Sequence, residues 1–364
     1  MSLAIPLAMT TPAQSEIAPT ATSGSAPQLA ALLQTAGVSL LKQTGWIRVS
    51  GGDRVRWLNG MVTNSIQELK DGEGAYSFFL NAQGRIQGDA TVFAEPEALM
   101  IETASSRISG LMSFLDRFII MDDVELADAT DAWSGLQVAG PQAASLLAAI
   151  GVEVAGLEPL TLRTVSWNAA DVTIIHAFSP LVPKYELWTA DAKTIQTITE
   201  ALQNLGALSC EAQSLEDLRI LEGMPLYGTD IRDRELPQET EQTRALHFNK
   251  GCYLGQEIVE RIRSRGNVHR TFGGFLLDGD LPASGALLEA DGKQVGELTS
   301  VAAIPLPDDH CERTQLALGY VRREALDRGI PILYTGGVAI PVPLPYSPAA
   351  PSVARTASES SERV

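Results

Sequence analysis

Asn249-Lys250-Gly251-Cys252-Tyr253-Leu254-Gly255-Gln256-Glu257, continuing as Ile258-Val259-Glu260-Arg261-Ile262-Arg263-Ser264-Arg265-Gly266, is the stretch around which the chain is organised. Apolar Ile258, Val259 and Ile262 recur at helical spacing, and Glu257 and Arg261 stand one turn apart, able to pair. The reading is a tight glycine-bracketed loop feeding an amphipathic helix that ends near Gly266. Cys252 then sits just before the helix, close to the Lys250 ammonium. Both a helix N-terminus and a cation stabilise thiolate over thiol, so a reactive cysteine is one reading. The other is that Gly251 and Gly255 only turn the chain and Cys252 is a small buried hydrophobe.

Working outward, 364 residues exceed one ordinary core, and two or three domains are expected. Basic residues number 27 and acidic ones 44, a formal charge of −17. That surface repels nucleic acid and anionic membrane, so an anionic ligand needs a local basic patch. Lys250, Arg261, Arg263, Arg265 and Arg270 offer one, unless they only solvate a helix face. Cys210, Cys252 and Cys311 are far apart and form no CxxC pair, which argues against a disulfide framework or a metal site and for a reducing, cytoplasmic setting. A stable iron–sulfur cluster takes about four cysteine ligands, so the chain is not expected to hold its own. No apolar run of about 18 residues suggests a membrane span. Residues 1–28, rich in Ala, Thr, Ser and Pro, and residues 347–364 read as disordered tails.

Between the tails, residues 29–41 carry helical spacing and residues 46–50 alternate like a strand. Asp53 is placed to cap a short helix. Residues 76–80 and 85–93 read as a hairpin around Asn81-Ala82-Gln83-Gly84, with Gly84 supplying positive φ. Strands are expected at 99–103, 118–126, 133–139, 172–177 and 185–189, and helices at 106–117, from Pro141, at 192–205 and from Ser214. This mixture of hairpins and helices is α+β rather than doubly wound. Nucleotide-binding glycine loops are missing from the sequence. Beyond a boundary near Val268, short alternating runs up to residue 346 predict a small antiparallel barrel.

Lys250-Gly251-Cys252-Tyr253-Leu254-Gly255-Gln256-Glu257 resembles the signature of the YgfZ-type folate-binding proteins, which assist iron–sulfur cluster assembly and repair and are related to the aminomethyltransferase (T-protein) of glycine cleavage. Residues 57–64, Tyr76, residues 80–84, 296–300 and 318–322 resemble further landmarks of that family. The aminomethyltransferase usually has Asp where Cys252 stands, which favours the YgfZ branch. The resemblance, spanning roughly residues 29–346, implies an aminomethyltransferase-like ring of three domains. A folate-binding α+β region, 29–267, holds two interleaved subdomains (the inner one roughly 51–130), and a C-terminal antiparallel β-barrel, 268–346, completes it around a central tetrahydrofolate cavity.

The resemblance places Asp89 where the transferase's carboxylate faces the reacting folate nitrogen, a position suited to moving protons and stabilising cation; otherwise it is a strand-end surface aspartate. Glu222 would accept N–H bonds from a pterin edge, although the family usually has this Glu one residue earlier, where Leu221 stands. Tyr76 would line the cavity or pack in a core. Lys250 and Arg261 would serve an anionic folate tail. Thr103 and residues 178–184 depart from the transferase pattern, and His247 and His269 are read as structural. The function implied is a tetrahydrofolate-binding accessory protein (the folate plain or as its formyl or methylene derivative) with a working thiol at Cys252 and with iron–sulfur assembly proteins or client enzymes as partners. A folate-dependent one-carbon transferase and a non-catalytic folate-binding scaffold are the alternatives.

Overall fold

The computed structural model describes residues 24–266, 268–307 and 313–347; the side chain of Arg265 is not among them. Of the two expected tails, residues 1–23 and 348–364 lie outside the described residues, but residues 25–28 already belong to a helix, Ser25–Gln34. Three β bodies carry the fold. A six-stranded sheet orders Leu208–Ser209, Gly37–Leu40, Ser134–Ala139, Lys184–Thr189, Ala170–Ala177 and Leu162–Trp167. A five-stranded sheet orders Gly74–Leu80, Ile86–Ala94, Leu99–Ala104, Thr44–Ser50 and Glu125–Asp128, so its chain is inserted between two strands of the first. Six strands from Arg270–Gly279 to Gly337–Val342 close into an antiparallel barrel. The α+β architecture with a C-terminal barrel is therefore as the sequence implied.

Local chemistry explains where expectation and structure differ. Residues 29–41 do not form one helix. The helix ends at Gln34, and Gly37–Leu40 turns into a strand paired with Ser134–Ala139. Gly37 fits there because a Cβ would lie 2.4 Å from Cys210 Sγ. Residues 118–124 are a loop, with strand only at Glu125–Asp128, and Ile120 and Met121 face solvent. Asp53 precedes the helix Arg54–Asn59 without capping it; its carboxylate accepts instead from the Asp123 N–H at 3.0 Å and pairs with Arg56. The strands Leu162–Trp167, Leu208–Ser209 and Gly337–Val342 are additional to the runs that the sequence pattern picks out.

The two sheets meet across Trp46, Phe93 and Met100 on one and Ile175 and Trp188 on the other, with Trp188 edge-on to Trp46 (5.3 Å) and Phe93 (5.6 Å). Such pairs add about 1 kcal/mol each beyond area burial. Beside them Glu102 of one sheet lies close to Glu186 of the other, and burial with the neighbouring carboxyl holds the Glu102 acid well above the usual carboxylate range. A second core joins the helices Ser25–Gln34 and Ala212–Glu222 to the barrel through Leu29, Leu221, Phe272 and Tyr320. No described helix is long and apolar enough to cross a membrane.

Candidate functional site

The glycine-bracketed loop and its helix are built as the sequence suggested, and the contacts explain the residue choices. The helix runs Gln256–Arg265 between Gly255 (φ 82°) and Gly266 (φ 81°), with Glu257 and Arg261 paired at 2.6 Å. Gly255 must be glycine twice over: its φ is left-handed, and a Cβ would lie 2.6 Å from Asn81 O. Gly84 of the hairpin turn is equally confined, since a Cβ there would lie 2.7 Å from Ile258 Cβ. The hairpin turn and the signature loop, separated by well over a hundred residues, are thus locked together.

Lys250 makes a second lock. Its Nζ donates to Asn59 O (2.6 Å), Val62 O (2.7 Å) and Asn64 O (2.7 Å), using all three ammonium protons on the 57–64 segment. Burial pulls its pKa down to about 7, while the three carbonyls favour the charged form against that. The ammonium is therefore spent on backbone rather than offered to a thiol. Leu254 N–H adds a bond to Gly60 O, and Asn64 Nδ2 bridges Tyr76 O and Arg244 O. Cys252 lies on the exposed rim of this loop, four residues before the first helical residue. Cys210 is buried, its thiol pushed up to about 11 by desolvation, and Cys311 lies outside the described residues.

A cavity of about 490 Å³ is walled by Phe178, Glu222, Gln242, Arg244 and Phe272, with Gly273, Gly274 and Leu344 completing it; no residue of the 249–257 loop is in its wall. That size is ordinary for a small-molecule site. Arg244 links the cavity to the two residues picked out on the hairpin. Its guanidinium carbon lies 3.9 Å from the Tyr76 ring centre and 4.1 Å from that of Phe178. The Tyr76 hydroxyl in turn donates to Asp89 Oδ2 at 2.7 Å. Burial raises the Asp89 carboxyl, opposed by the tyrosine bond and by the charges of Arg244 and Arg107. The same burial, reinforced by Asp89, raises the tyrosine well above its ordinary value.

Glu222 lines the cavity although it stands one place later than the family pattern, while Leu221 points into the core. Its carboxylate accepts from the Ser179 hydroxyl; burial raises it and the Lys184 charge opposes that. Arg261 is engaged by Glu257, Arg263 stacks on Phe248, and neither lies in the cavity wall. Arg270 is bound to Glu239 and Glu235. Sequence reasoning passed over Arg244, which belongs to no motif, and the Glu102–Glu186 pair, which exists only across two sheets. Among the described residues no cluster of three or more His, Cys, Asp or Glu is arranged for a metal.

The GCVT N-terminal domain model matches residues 9–250 of this sequence. The chain belongs to the GCVT family. Among its relatives, a protein named tRNA-modifying protein YgfZ from Yersinia pseudotuberculosis is 30% identical over 284 residues, covering 74% of this chain and 82% of that one. An aminomethyltransferase from Thermoanaerobacter pseudethanolicus is 24% identical over 286 residues, covering 74% and 75%. In three dimensions the chain is similar to the glycine cleavage system aminomethyltransferase T from Bartonella henselae, with a TM-score of 0.77 at 20% identity over 88% of this chain and 89% of that one. That likeness is one of fold. The chain is thus a YgfZ-type member related to the aminomethyltransferases, as the signature indicated.

Proposed function

We propose that this protein binds a reduced folate, tetrahydrofolate or its formyl or methylene derivative, in the cavity between the sheets and the barrel. The observation that carries the reading is one continuous set of groups: Glu222 and the rings of Phe178 and Phe272 in the wall, and Arg244 leading to Tyr76 and Asp89. These residues fit such a ligand. Phe178 and Phe272 give a flat pterin apolar surface, and Glu222 can accept N–H bonds from its aminopyrimidine edge. Asp89, raised by burial and held by the Tyr76 hydroxyl, can take or return a proton at an amine nitrogen and stabilise positive charge there. When bound, a tetrahydrofolate supplies amines able to carry a one-carbon unit.

The role we propose is that of a folate-dependent accessory protein in iron–sulfur cluster assembly or repair, working in the cytoplasm with assembly proteins or client enzymes and using Cys252 as its thiol. Two things support it: the signature resembles that of YgfZ-type proteins, and the residue where transferases usually carry Asp is here a solvent-facing cysteine on a doubly locked loop. A folate-dependent one-carbon transferase is the second reading, favoured by the Asp89–Tyr76 pair. An aminomethyl-transfer assay with a lipoyl carrier protein separates them. Turnover would establish the transferase; folate binding without turnover, with Cys252 needed to restore iron–sulfur enzyme activity in a deletion strain, would establish the accessory role.

A further inference from the structure

Several partly buried arginines among the described residues are neutralised. Arg219 pairs with Glu216 (2.6 Å) and Asp230 (2.8 Å), Arg232 with Glu297 (2.6 Å), and Arg270 with Glu239 (2.9 Å). Arg244, in the cavity wall, is not neutralised. Its side chain makes one hydrogen bond, from Nε to Gln242 Oε1 at 3.3 Å, and no ion pair among the described residues. Nη1 and Nη2 have no partner there. Asp89 acts on it only through its charge, without closing an ion pair. A largely desolvated guanidinium without a counter-charge is costly, and burial does lower its pKa, while Nη1 and Nη2 stay open to solvent and so to a ligand.

The neighbours also define how a ligand can approach. With the Tyr76 and Phe178 rings at 3.9 Å and 4.1 Å from the guanidinium carbon, the edge that carries Nη1 and Nη2 is the way in. Asn64 Nδ2, donating to Arg244 O at 2.9 Å, fixes the backbone from which the side chain extends, and Gln242 Oε1 holds Nε. A planar fork presented edge-on matches a planar acceptor with two oxygens. Asp89, Glu222 and Glu241 around the same space disfavour a dianion such as phosphate and tolerate a single negative charge.

We propose that Arg244 is the receptor for a carboxylate, bound through Nη1 and Nη2 at the inner wall of the cavity. The carboxylate comes either from the glutamate end of the folate itself or from a small carboxylate co-ligand. The subsite shares the cavity with the proposed folate but is testable without it.

Titration calorimetry on the full chain tests it, using propionate, inorganic phosphate, tetrahydrofolate and tetrahydropteroate, which lacks the glutamate. Wild-type protein should bind propionate more tightly than phosphate, and Arg244→Met should lose about tenfold or more of propionate affinity. Arg244→Lys keeps the charge without the fork and should lose nearly as much, which a purely structural or long-range charge role would not produce. Circular dichroism and thermal melting of both variants check folding, and the lysine variant serves if the methionine one is unstable. If tetrahydrofolate binds at least about tenfold better than tetrahydropteroate, and Arg244→Met removes the difference, the folate supplies the carboxylate. If the two bind alike and propionate still binds with folate present, a co-ligand supplies it. Wild-type protein that ignores both folates while losing propionate with Arg244→Met would end the folate reading and keep the subsite. Propionate and tetrahydrofolate affinities unchanged in Arg244→Met, or phosphate preferred over propionate, would overturn the proposal.

Discussion

Replacing Lys250 with methionine keeps the length of the side chain and removes its three donors. The lysine ammonium bonds Asn59 O, Val62 O and Asn64 O at 2.6–2.7 Å, so three charge-assisted bonds are lost. At about 1.5–3 kcal/mol each, their gross value is about 5–9 kcal/mol. Against this stands the cost of keeping an ammonium out of water. A fall from 10.5 to about 7 is worth a few kcal/mol at roughly 1.4 kcal/mol per pH unit, less some screening because the group is only partly buried. The carbonyls left behind regain some water. The net expectation for Lys250→Met is a loss of about 2–4 kcal/mol in urea unfolding at neutral pH. Because the bonds tie the loop bearing Cys252 to the 57–64 segment, amide exchange should accelerate first in residues 59–64 and 250–255. Lys250→Arg should rescue only in part, since a planar fork does not fit three converging carbonyls. A Lys250→Met protein within about 0.5 kcal/mol of wild type, with unchanged exchange at those amides, would refute the idea that this lysine locks the site.

The raised Asp89 carboxyl gives a pH prediction. A group whose folded pKa lies above its unfolded value contributes stability at acid pH that is lost as pH rises through the folded pKa; Asp89→Asn should therefore be more stable than wild type near neutrality, with the difference vanishing below the ordinary aspartate pKa of 3.8. The same sign holds for Glu102→Gln, with a larger gain expected in urea unfolding at pH 7, because burial and Glu186 together hold that acid well above its range. In a Cys311→Ser background, iodoacetamide should modify Cys252 well before Cys210, whose thiol is buried and pushed to about 11; equal rates, read by mass spectrometry, would contradict the exposure assigned to Cys252. Cys252→Ser should keep fold and folate affinity yet fail to restore iron–sulfur enzyme activity in a deletion strain, and full restoration would remove the thiol from the proposed role.

What could be read in the sequence was local. Gly84 and Gly255 mark turns by type, and Ile258, Val259 and Ile262 mark a helix by spacing; the structure adds that the two glycines let those turns touch. Lys250 was legible as important but not in its role, because its partners are backbone carbonyls nearly two hundred residues away. Arg244 carried no signal: stacking on Tyr76 and Phe178 depends on three separate segments meeting. Glu102 and Glu186 each look like ordinary strand residues until two sheets bury them together. The strand Gly337–Val342 was hidden by Pro341, which normally argues against a strand, and residues 38–40 by the helical run before them.

Glu222 gives the most direct test of the central claim. It lines the cavity, its carboxyl is raised by burial, and glutamine there keeps the shape while replacing an acceptor oxygen by a donor, so the change should disturb a pterin edge without straining the fold. Calorimetry with 5-formyltetrahydrofolate should show wild-type binding in the micromolar range, about −8 kcal/mol. Glu222→Gln should melt at or above the wild-type temperature and bind at least about tenfold more weakly, a loss of about 1.4 kcal/mol or more. Equal affinity in the two proteins, or no heat with wild type, would contradict a folate site in this cavity.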